Sequence, residues 1–199
     1  MNVEGFIAAG GRSSRMGRDK AWLEIGGRAM IEHVIAALRP VTASVSVIAN
    51  TPEYARLGLP VFADTNRGIG PLEAIRTSLV NARAPRVALV ACDLPFVTSE
   101  LFSFLLEVKG DHRALVPLDS NERLQPLCAV YSAEALDCVN ELIERGERKV
   151  SKLFDLIPIK IIAFDELRHL RGAEFFFQNV NTPEDYALAC KVIHQADQV

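Results

Sequence analysis

The residues near the start of the chain that are best suited to chemistry lie in one segment, AAGGRSSRMGRDK, which runs from Ala8 to Lys20. Its two adjacent glycines let backbone N–H groups approach an anion closely, and its two serines add hydroxyl donors. The segment also concentrates positive charge in four side chains: Arg12, Arg15, Arg18 and Lys20. A tight turn with solvated arginines is the alternative, but so many donors together favour a site for a triphosphate.

This glycine-rich segment matches neither of the two familiar phosphate-binding motifs. A dinucleotide-binding turn needs the spacing G-x-G-x-x-G, which the adjacent Gly10 and Gly11 break at the first step. A P-loop needs four residues between its glycines and then Lys-Ser or Lys-Thr, whereas five residues separate Gly11 from Gly17 and Arg18 follows. The segment therefore predicts a phosphate site of a different kind.

Two aspartates follow apolar runs, where a strand would end. Asp93 comes after an unbroken apolar run, which is typical of a buried parallel strand whose carboxyl end opens toward ligand. A carboxylate at this position is expected to face the ligand site. Capping of the next helix is the alternative, but Thr98 is better placed for that. Asp64 is expected either to form a hydrogen bond with the ribose or base of a nucleotide, or to cap the loop that runs to Gly68.

The first half of the chain alternates short apolar runs with helical patterns, which is typical of βαβ units and a mostly parallel sheet. The predicted strands are Val3–Ala9, Val45–Asn50, Pro60–Asp64 and Val87–Asp93. Apolar residues at helical spacing lie between them, over 31–38 and 72–82. The glycine-rich segment follows the first strand, so it should emerge at the edge of the sheet where ligands of α/β folds bind.

The second half is less regular. Its predicted strands are Ala114–Leu118, Leu127–Tyr131, Lys160–Phe164 and Phe175–Val180. Helices are expected over 136–143 and around Leu153–Leu156, and Thr182 caps a C-terminal helix that has Pro183 at its first position. With no internal repeat or clear linker, we expect residues 1–199 to form one domain, a three-layer α/β/α sandwich with a mostly parallel, Rossmann-like central sheet.

Composition limits the class of protein. The 199 residues are 49% apolar, and the formal charge of −3 gives no overall attraction to nucleic acid or to an anionic membrane. No apolar run approaches the ~20 residues that cross a bilayer. The four cysteines and four histidines are scattered without zinc-ligand spacing. We therefore expect a soluble, cytoplasmic protein with reduced cysteines.

Four stretches, in order along nearly the whole chain, resemble the nucleotidyltransferases that build molybdenum cofactors, and most closely the molybdenum cofactor guanylyltransferase family. The first is Gly10-Gly11-x-Ser13-x-Arg15-Met16-Gly17-x-Asp19-Lys20, although the family begins Leu-Ala where this chain has Ala8-Ala9. The others are Asp64 before Gly70-Pro71-Leu72, Asp93 in ACDLP, and Asn179-Val180-Asn181-Thr182-Pro183-Glu184.

The resemblance implies a fold of the nucleotide-diphospho-sugar transferase type and a defined activity. A magnesium-dependent enzyme would transfer GMP from GTP to the terminal phosphate of molybdenum-molybdopterin and release pyrophosphate. The N-terminal half would bind the nucleotide and the C-terminal half the acceptor. Transient contacts with molybdenum-insertion and molybdoenzyme maturation proteins are also implied.

The resemblance also assigns roles to residues. It implies that Lys20, Arg15 and Asp93 are catalytic, with Asp93 as the metal ligand, and that Asn179 and Asn181 bind the acceptor. The nucleotide-binding residues that it implies are Ala8, Ala9, Gly10, Gly11, Ser13, Lys20, Asn50, Asp64 and Asp93.

Three alternatives remain open at this stage. Related cytidylyltransferases would move CMP from CTP to the same cofactor, although they tend to have alanine in place of Gly10 and proline in place of Asp19. Transfer of a nucleotide to a sugar phosphate is a second possibility. A nucleotide-binding carrier or regulatory module without turnover is the third, and the presence of Lys20 and Asp93 argues against it.

Overall fold

A computed structural model describes residues 2–9, 19–65 and 70–196, with side chains as far as residue 193. Nine strands lie in these ranges: β1 (Val3–Ala8), β2 (Glu24–Ile25), β3 (Arg28–Ala29), β4 (Val45–Ile48), β5 (Val61–Phe62), β6 (Arg86–Ala91), β7 (Ala114–Pro117), β8 (Cys128–Ser132) and β9 (Ile159–Ile162). The helices are α1 (Met30–Leu38), α2 (Pro71–Asn81), α3 (Ser99–Glu107), α4 (Leu136–Glu144), α5 (Ser151–Phe154), α6 (Phe164–Leu167) and α7 (Pro183–Ala196).

Seven of the strands form one sheet in the order β5-β4-β1-β6-β8-β7-β9. The pairs β5/β4, β4/β1, β1/β6 and β7/β9 are parallel, whereas β8 runs antiparallel to both β6 and β7. The predicted mostly parallel sheet is therefore confirmed. The parallel strands β5, β4, β1 and β6 all end at the same side of the sheet, which we call the carboxyl edge.

Helices cover both faces of this sheet, which makes the three-layer sandwich that the sequence predicts. Alternate strand residues point to opposite faces, and Ile7 packs with α1 and α3 while its neighbour Phe6 packs with α2 and α4. Leu89 and Val90 of β6 divide between the two faces in the same way. Because β6 is buried on both sides, it reads as a continuous apolar run.

A smaller apolar cluster attaches the C-terminal helix to the start of the chain. Ile25 of β2 and Met30 of α1 are fully buried against Val180 and Ala189. The hydroxyl of Tyr186 in α7 also donates a 2.6 Å hydrogen bond to the carbonyl oxygen of Glu24. Residues at the two ends of the chain therefore pack together beside the carboxyl edge.

The C-terminal helix begins as the sequence predicts. The hydroxyl of Thr182 accepts a hydrogen bond from the backbone N–H of Asp185 (3.1 Å), and the Asp185 carboxylate accepts from the N–H of Thr182 (2.9 Å) and of Asn181 (3.0 Å). These bonds, led by that from Asn181, hold the pKa of Asp185 below its usual range. The reciprocal cap fixes the position of Asn181 directly before α7.

The predicted strand Phe175–Val180 is wrong. Phe175 ends a short 3-10 helix, Ala173–Phe175, and the N–H of Gln178 donates back to its carbonyl oxygen in a turn. Among the residues that the structure describes, one backbone bond ties this segment to the end of β6, from Val180 N–H to Asp93 O at 3.0 Å. The apolar run of three phenylalanines places Phe176 fully buried in the core, but the run does not form a strand.

The other predicted boundaries differ from the observed ones by a few residues at most. The largest difference concerns the helix expected around Leu153–Leu156, which is observed at Ser151–Phe154. The strand predicted as Lys160–Phe164 ends at Ile162, and Phe164 begins α6. The polar turn after β7 connects two antiparallel strands, as its position between predicted strands indicates. Thr98 caps α3, accepting a bond from the N–H of Leu101 at 3.4 Å, so Asp93 is not needed there.

Candidate active site

The carboxyl edge opens into a cavity of about 840 Å³. Its lining comes from the ends of β1, β4, β5 and β6, from the start of α2 and from the segment before β8. Predicted site residues in this lining are Ala8, Ala9, Lys20, Asn50, Asp64, Asp93 and Asn179. The cavity therefore brings these predicted residues together from six separate parts of the sequence.

A cation and two polar side chains meet at the middle of the edge. The Lys20 ammonium nitrogen lies 2.5 Å from a carboxylate oxygen of Asp93 and 2.6 Å from the side-chain oxygen of Asn181. The Lys20 and Asp93 side chains are mostly shielded, with 18% and 15% of their surface exposed. An ion pair of this kind orients both groups, and here it joins the predicted metal ligand to the predicted acceptor side.

Lys20 is positioned by the residue before it. Asp19 is the N-cap of the 3-10 helix Lys20–Trp22, and one of its oxygens accepts from the N–H of Ala21 at 3.1 Å. Its other oxygen accepts from the hydroxyl of Tyr54 at 2.7 Å. Burial, and then this bond to a carboxylate, raise the pKa of Tyr54, so the phenol stays a donor. Asp19 thus caps the short helix that begins at Lys20, and this cap orients the Lys20 side chain.

Asp64 lies at the other side of the cavity, beyond the end of β5. One of its carboxylate oxygens accepts a 2.9 Å hydrogen bond from the hydroxyl of Thr77, which is buried in α2. Burial raises the pKa of Asp64, and the Thr77 bond lowers it by a smaller amount. The predicted alternative, a cap for the loop to Gly68, concerns residues 66–69, which lie outside the described part of the chain.

A buried glutamate in α2 supports the side of the cavity where Asp64 lies. Glu73 in the first turn of α2 has only 1% of its side chain exposed and pairs with Arg76 at 3.1 Å. The same carboxylate accepts from the backbone N–H of Thr65 at 3.1 Å. Glu73 therefore holds the residue that follows Asp64 against α2.

The cavity wall on the far side of β6 is formed by Gln125, Pro126 and Leu127, which precede β8. Leu127 is tied to the edge of β6, because its carbonyl oxygen accepts from Ala91 N–H at 2.7 Å. Strand order then places Asp64 and Asn50 at one end of the cavity, Asp93 in the middle and this wall at the other end.

The remaining predicted site residues fall in two groups. Asn181 lies at the site through its bond to Lys20. The structure does not describe residues 10–18, and four predicted residues lie there: Gly10, Gly11, Ser13 and Arg15. Their roles stay predictions.

Two other features of the sequence have structural explanations. Cys92 is buried beside Asp93, and burial together with the Asp93 charge raises the pKa of its thiol to about 12. The basic stretch 145–149 lies after α4, outside the residues that line the cavity. There the Glu147 carboxylate accepts from the N–H groups of Arg148 and Lys149, which holds the pKa of Glu147 below its usual range.

The donor set suits a metal that arrives with its substrate. Among residues 2–9, 19–65 and 70–196, no group of three or more His, Cys, Asp or Glu side chains could hold a metal ion by itself. Mg²⁺ commonly takes one or two protein carboxylates and completes its shell with water and phosphate oxygens. Asp93, whose side chain opens to the cavity, fits that requirement. In the same ranges no helix is long and apolar enough to cross a bilayer.

Sequence reasoning missed several residues of the site. Tyr54, Glu73, Thr77 and Gln125 are absent from the predicted site. Glu73 and Thr77 gave a detectable signal, since both are polar residues four apart on the apolar face of α2. Tyr54 and Gln125 reach the site only through the tertiary fold.

Comparison with known proteins points in one direction. A family model described as the MobA-like NTP transferase domain matches residues 5–159. A probable molybdenum cofactor guanylyltransferase of Carboxydothermus hydrogenoformans is 38% identical over 191 residues, which cover 96% of this chain and 96% of the relative.

Two solved structures share the fold. Molybdopterin-guanine dinucleotide biosynthesis protein A from Archaeoglobus fulgidus superposes with a TM-score of 0.82 at 23% identity, over 96% of this chain and 99% of that one. A Mycobacterium tuberculosis protein solved in complex with manganese gives a TM-score of 0.67 at 17% identity, over 95% and 98% of the two chains.

Proposed function

Because this chain belongs to the family of MobA-like NTP transferases, we propose that it transfers GMP from GTP to the terminal phosphate of molybdenum-molybdopterin. The family membership confirms the resemblance predicted from the sequence. The curated relative that matches over nearly the whole chain carries the name of this activity. The observation that carries the proposal is the meeting of Lys20, Asp93 and Asn181 in the middle of the edge cavity.

The proposed reaction requires little covalent help from the protein. A phosphate oxygen of the acceptor attacks the α-phosphorus of GTP, the bond from that phosphorus to the bridging oxygen breaks, and pyrophosphate leaves. The nucleophile is already an anion, so no general base is needed. The barrier lies in aligning anionic groups and in stabilising the charge that develops on pyrophosphate.

Lys20 and Asp93 are suited to these two tasks. The Lys20 ammonium would exchange part of its present contact with Asp93 and Asn181 for phosphate oxygens, and so neutralise charge near the α-phosphorus. Asp93 would hold Mg²⁺, which neutralises triphosphate charge when it is bound. Asp19 and Tyr54 keep Lys20 at the required place.

The two ends of the cavity would take the two substrates. Asn50 and Asp64 would contact the nucleoside, with Ala8 and Ala9 beneath the phosphates, and the N-terminal half of the chain would thus bind GTP. Asn179 and Asn181 would contact the acceptor from the C-terminal half. We further propose that Gly10, Gly11, Ser13 and Arg15 bind the triphosphate through N–H groups, a hydroxyl and a guanidinium.

A product bound between the two halves would have to pass to other proteins. We expect transient contacts with molybdenum-insertion and molybdoenzyme maturation proteins for that reason. A pull-down that depends on bound product would detect them.

The base and the metal are tested by ligand-dependent thermal stability. Melting temperature is measured with GTP, CTP, ATP and dTTP, each with and without Mg²⁺. We expect the largest increase with GTP and Mg²⁺, because a ligand that binds only the folded state stabilises it. A larger increase with CTP would instead support CMP transfer.

Turnover is tested by pyrophosphate release. Release from GTP that requires molybdopterin supports a transferase, whereas nucleotide binding without release would support a carrier. Asp93→Asn should abolish the Mg²⁺-dependent part of the thermal shift. Asp165→Asn, which removes an exposed carboxylate paired with Arg168 on α6, is the matched control and should change neither result.

A further inference from the structure

The wall at the acceptor end of the cavity is held by its own backbone hydrogen bonds. The segment before β8 contributes Gln125, Pro126 and Leu127 to the cavity lining. Four bonds fix its main chain: Gln125 N to Pro117 O (2.9 Å), Cys128 N to Gln125 O (3.0 Å), Ala91 N to Leu127 O (2.7 Å) and the Tyr131 hydroxyl to Pro126 O (2.8 Å). Since these backbone groups are engaged, side chains must provide the polar recognition at this wall.

Gln125 is the polar side chain of the wall, and Asp119 holds it in one orientation. One oxygen of Asp119 accepts from the N–H groups of Asn121 (2.8 Å) and Arg123 (2.9 Å) in the turn. The other oxygen accepts from the amide nitrogen of Gln125 at 3.2 Å, and this nitrogen also donates to the Arg123 carbonyl at 3.3 Å. A carboxylate and a carbonyl can only accept, so the amide nitrogen must face them.

This orientation leaves the amide oxygen of Gln125 for the cavity. In the part of the chain that the structure describes, no donor reaches that oxygen, although the side chain is half-buried. A ligand that donates a hydrogen bond to this open oxygen gains affinity and selectivity from it. The wall therefore calls for an N–H or O–H group on whatever molecule binds against it.

The strand order indicates which substrate this is. Adjacent strands lie about 4.8 Å apart, so the β8 end of the edge is about 14 Å from the end of β4, where Asn50 lies. Asp93 stands between them, at the end of β6. If the reacting α-phosphorus sits near Asp93, the nucleoside fills one end of the cavity and the acceptor fills the end with Gln125.

We propose that the amide oxygen of Gln125 accepts a hydrogen bond from a ring or amino N–H of the acceptor, and that Asp119 is its positioning residue. This inference rests on the proposed function, in which the acceptor is a pterin and so carries such N–H groups. Gln125 would thus select the heterocycle of the acceptor, at a distance from the phosphate that reacts. It would contribute nothing to nucleotide binding.

The test measures KM for molybdopterin and for GTP separately, by pyrophosphate release. Gln125→Met keeps the length of the side chain and removes the amide, and we expect KM for the acceptor to rise about tenfold with KM for GTP unchanged. Asp119→Asn turns an N–H donor toward the Gln125 nitrogen, and should raise the same KM. Glu122→Gln, an exposed change in the same turn, is the matched control and should match the unaltered protein.

A double variant separates orientation from folding. In Asp119→Asn with Gln125→Glu, the new amide can donate to the new carboxylate, and an oxygen again faces the cavity. We expect its KM for the acceptor to be lower than that of either single variant.

Two outcomes overturn the inference in distinguishable ways. Normal turnover by the unaltered protein with an unchanged acceptor KM in Gln125→Met refutes the role of Gln125 alone. Absence of molybdopterin-dependent turnover in the unaltered protein refutes the proposed function and this inference with it. A tenfold rise in both KM values would mean that the wall acts through the shape of the whole cavity, and would also overturn the inference.

Discussion

Asp93 and Asp64 follow strands of the same sheet and line the same cavity, but their surroundings differ. Asp93 stands beside a cation, with the Lys20 ammonium 2.5 Å away. Asp64 receives a hydrogen bond from the neutral hydroxyl of Thr77, and burial raises its pKa. Asp93 therefore has an ionic partner within the protein, whereas Asp64 has a neutral partner and its ionisation is unfavourable.

This difference assigns the two aspartates to different tasks. The Asp93 carboxylate and the Lys20 ammonium can separate when substrate binds. The carboxylate then contacts a metal cation in place of the ammonium, and the ammonium contacts a phosphate anion in place of the carboxylate. A carboxylate with a raised pKa and a fixed hydroxyl donor is suited to accept hydrogen bonds from a ribose or base. We therefore expect substitutions around Asp93 to affect rate, and those around Asp64 to affect nucleotide affinity.

The largest effect should follow the loss of the cation beside Asp93. Lys20→Met removes charge neutralisation at the α-phosphorus, so kcat should fall about 10³-fold, measured by pyrophosphate release at saturating GTP. Lys152→Met removes an exposed ammonium paired with Asp155 and should leave kcat unchanged. If Lys20→Met raised KM for GTP and spared kcat, Lys20 would serve binding alone.

A smaller effect is expected at the other aspartate. Asp64→Asn keeps an oxygen for the Thr77 hydroxyl but weakens acceptance from the nucleoside, so the Kd for GTP should rise about tenfold, as measured by calorimetry. The kcat at saturating GTP should change little. A large loss of kcat with unchanged Kd would reverse the roles of the two aspartates.

The support beneath Lys20 should be worth about 1 kcal/mol. Tyr54→Phe removes the donor to Asp19, and we expect the free energy of unfolding in urea to fall by about that amount. Tyr131→Phe removes a similar bond to the carbonyl of Pro126 and gives a comparison of equal size. The change at Tyr54 should also lower kcat, since Tyr54 contacts the cap of the Lys20 helix, whereas any catalytic effect of the change at Tyr131 should fall on KM for the acceptor, since the Tyr131 bond fixes the wall of the cavity.

The smallest effect concerns pH, and it should distinguish the aspartates by sign. Because the folded-state pKa of Asp64 is raised, its ionisation costs stability as pH rises above the ordinary value of 3.8. Asp64→Asn should therefore melt at a higher temperature than the unaltered protein at pH 7, and this gain should shrink as pH is lowered toward 4. Asp93→Asn should melt at a lower temperature at pH 7, because Lys20 loses its ionic partner.

Thr77→Val extends the same measurement. Loss of the Thr77 hydroxyl removes a bond that lowers the pKa of Asp64, so that pKa should rise further. The acidic limb of GTP binding would move to higher pH. An unmoved limb would show that Asp64 does not titrate in the binding reaction.

Much of the sheet could be predicted from the sequence because buried strands consist of short runs of apolar residues. β6 reads as an unbroken apolar run since helices cover both of its faces. The failure at Phe175–Val180 has the same origin, because Phe176 is as buried as a strand residue while lying in a turn. Apolar character reports burial, and it identifies a strand only when regular pairing follows.

The site could be predicted where a residue follows a strand directly, as Asp64 and Asp93 do. It could not be predicted where a side chain reaches the cavity from a distant segment. Tyr54 donates a hydrogen bond to Asp19, which lies 35 positions away in the sequence. Gln125 lies beside the cavity because the strand that follows it, β8, pairs with β6. Such contacts are products of strand order, which periodicity does not encode.

The bond from Lys20 to Asn181 joins residues 161 positions apart in sequence. A ribosome must therefore synthesise the chain as far as Asn181 before Lys20 can meet its second partner. Contacts of such long range form late, because the loop that they close must lose its freedom first. The newly made protein would thus gain its complete centre only after Asn181 has left the ribosome.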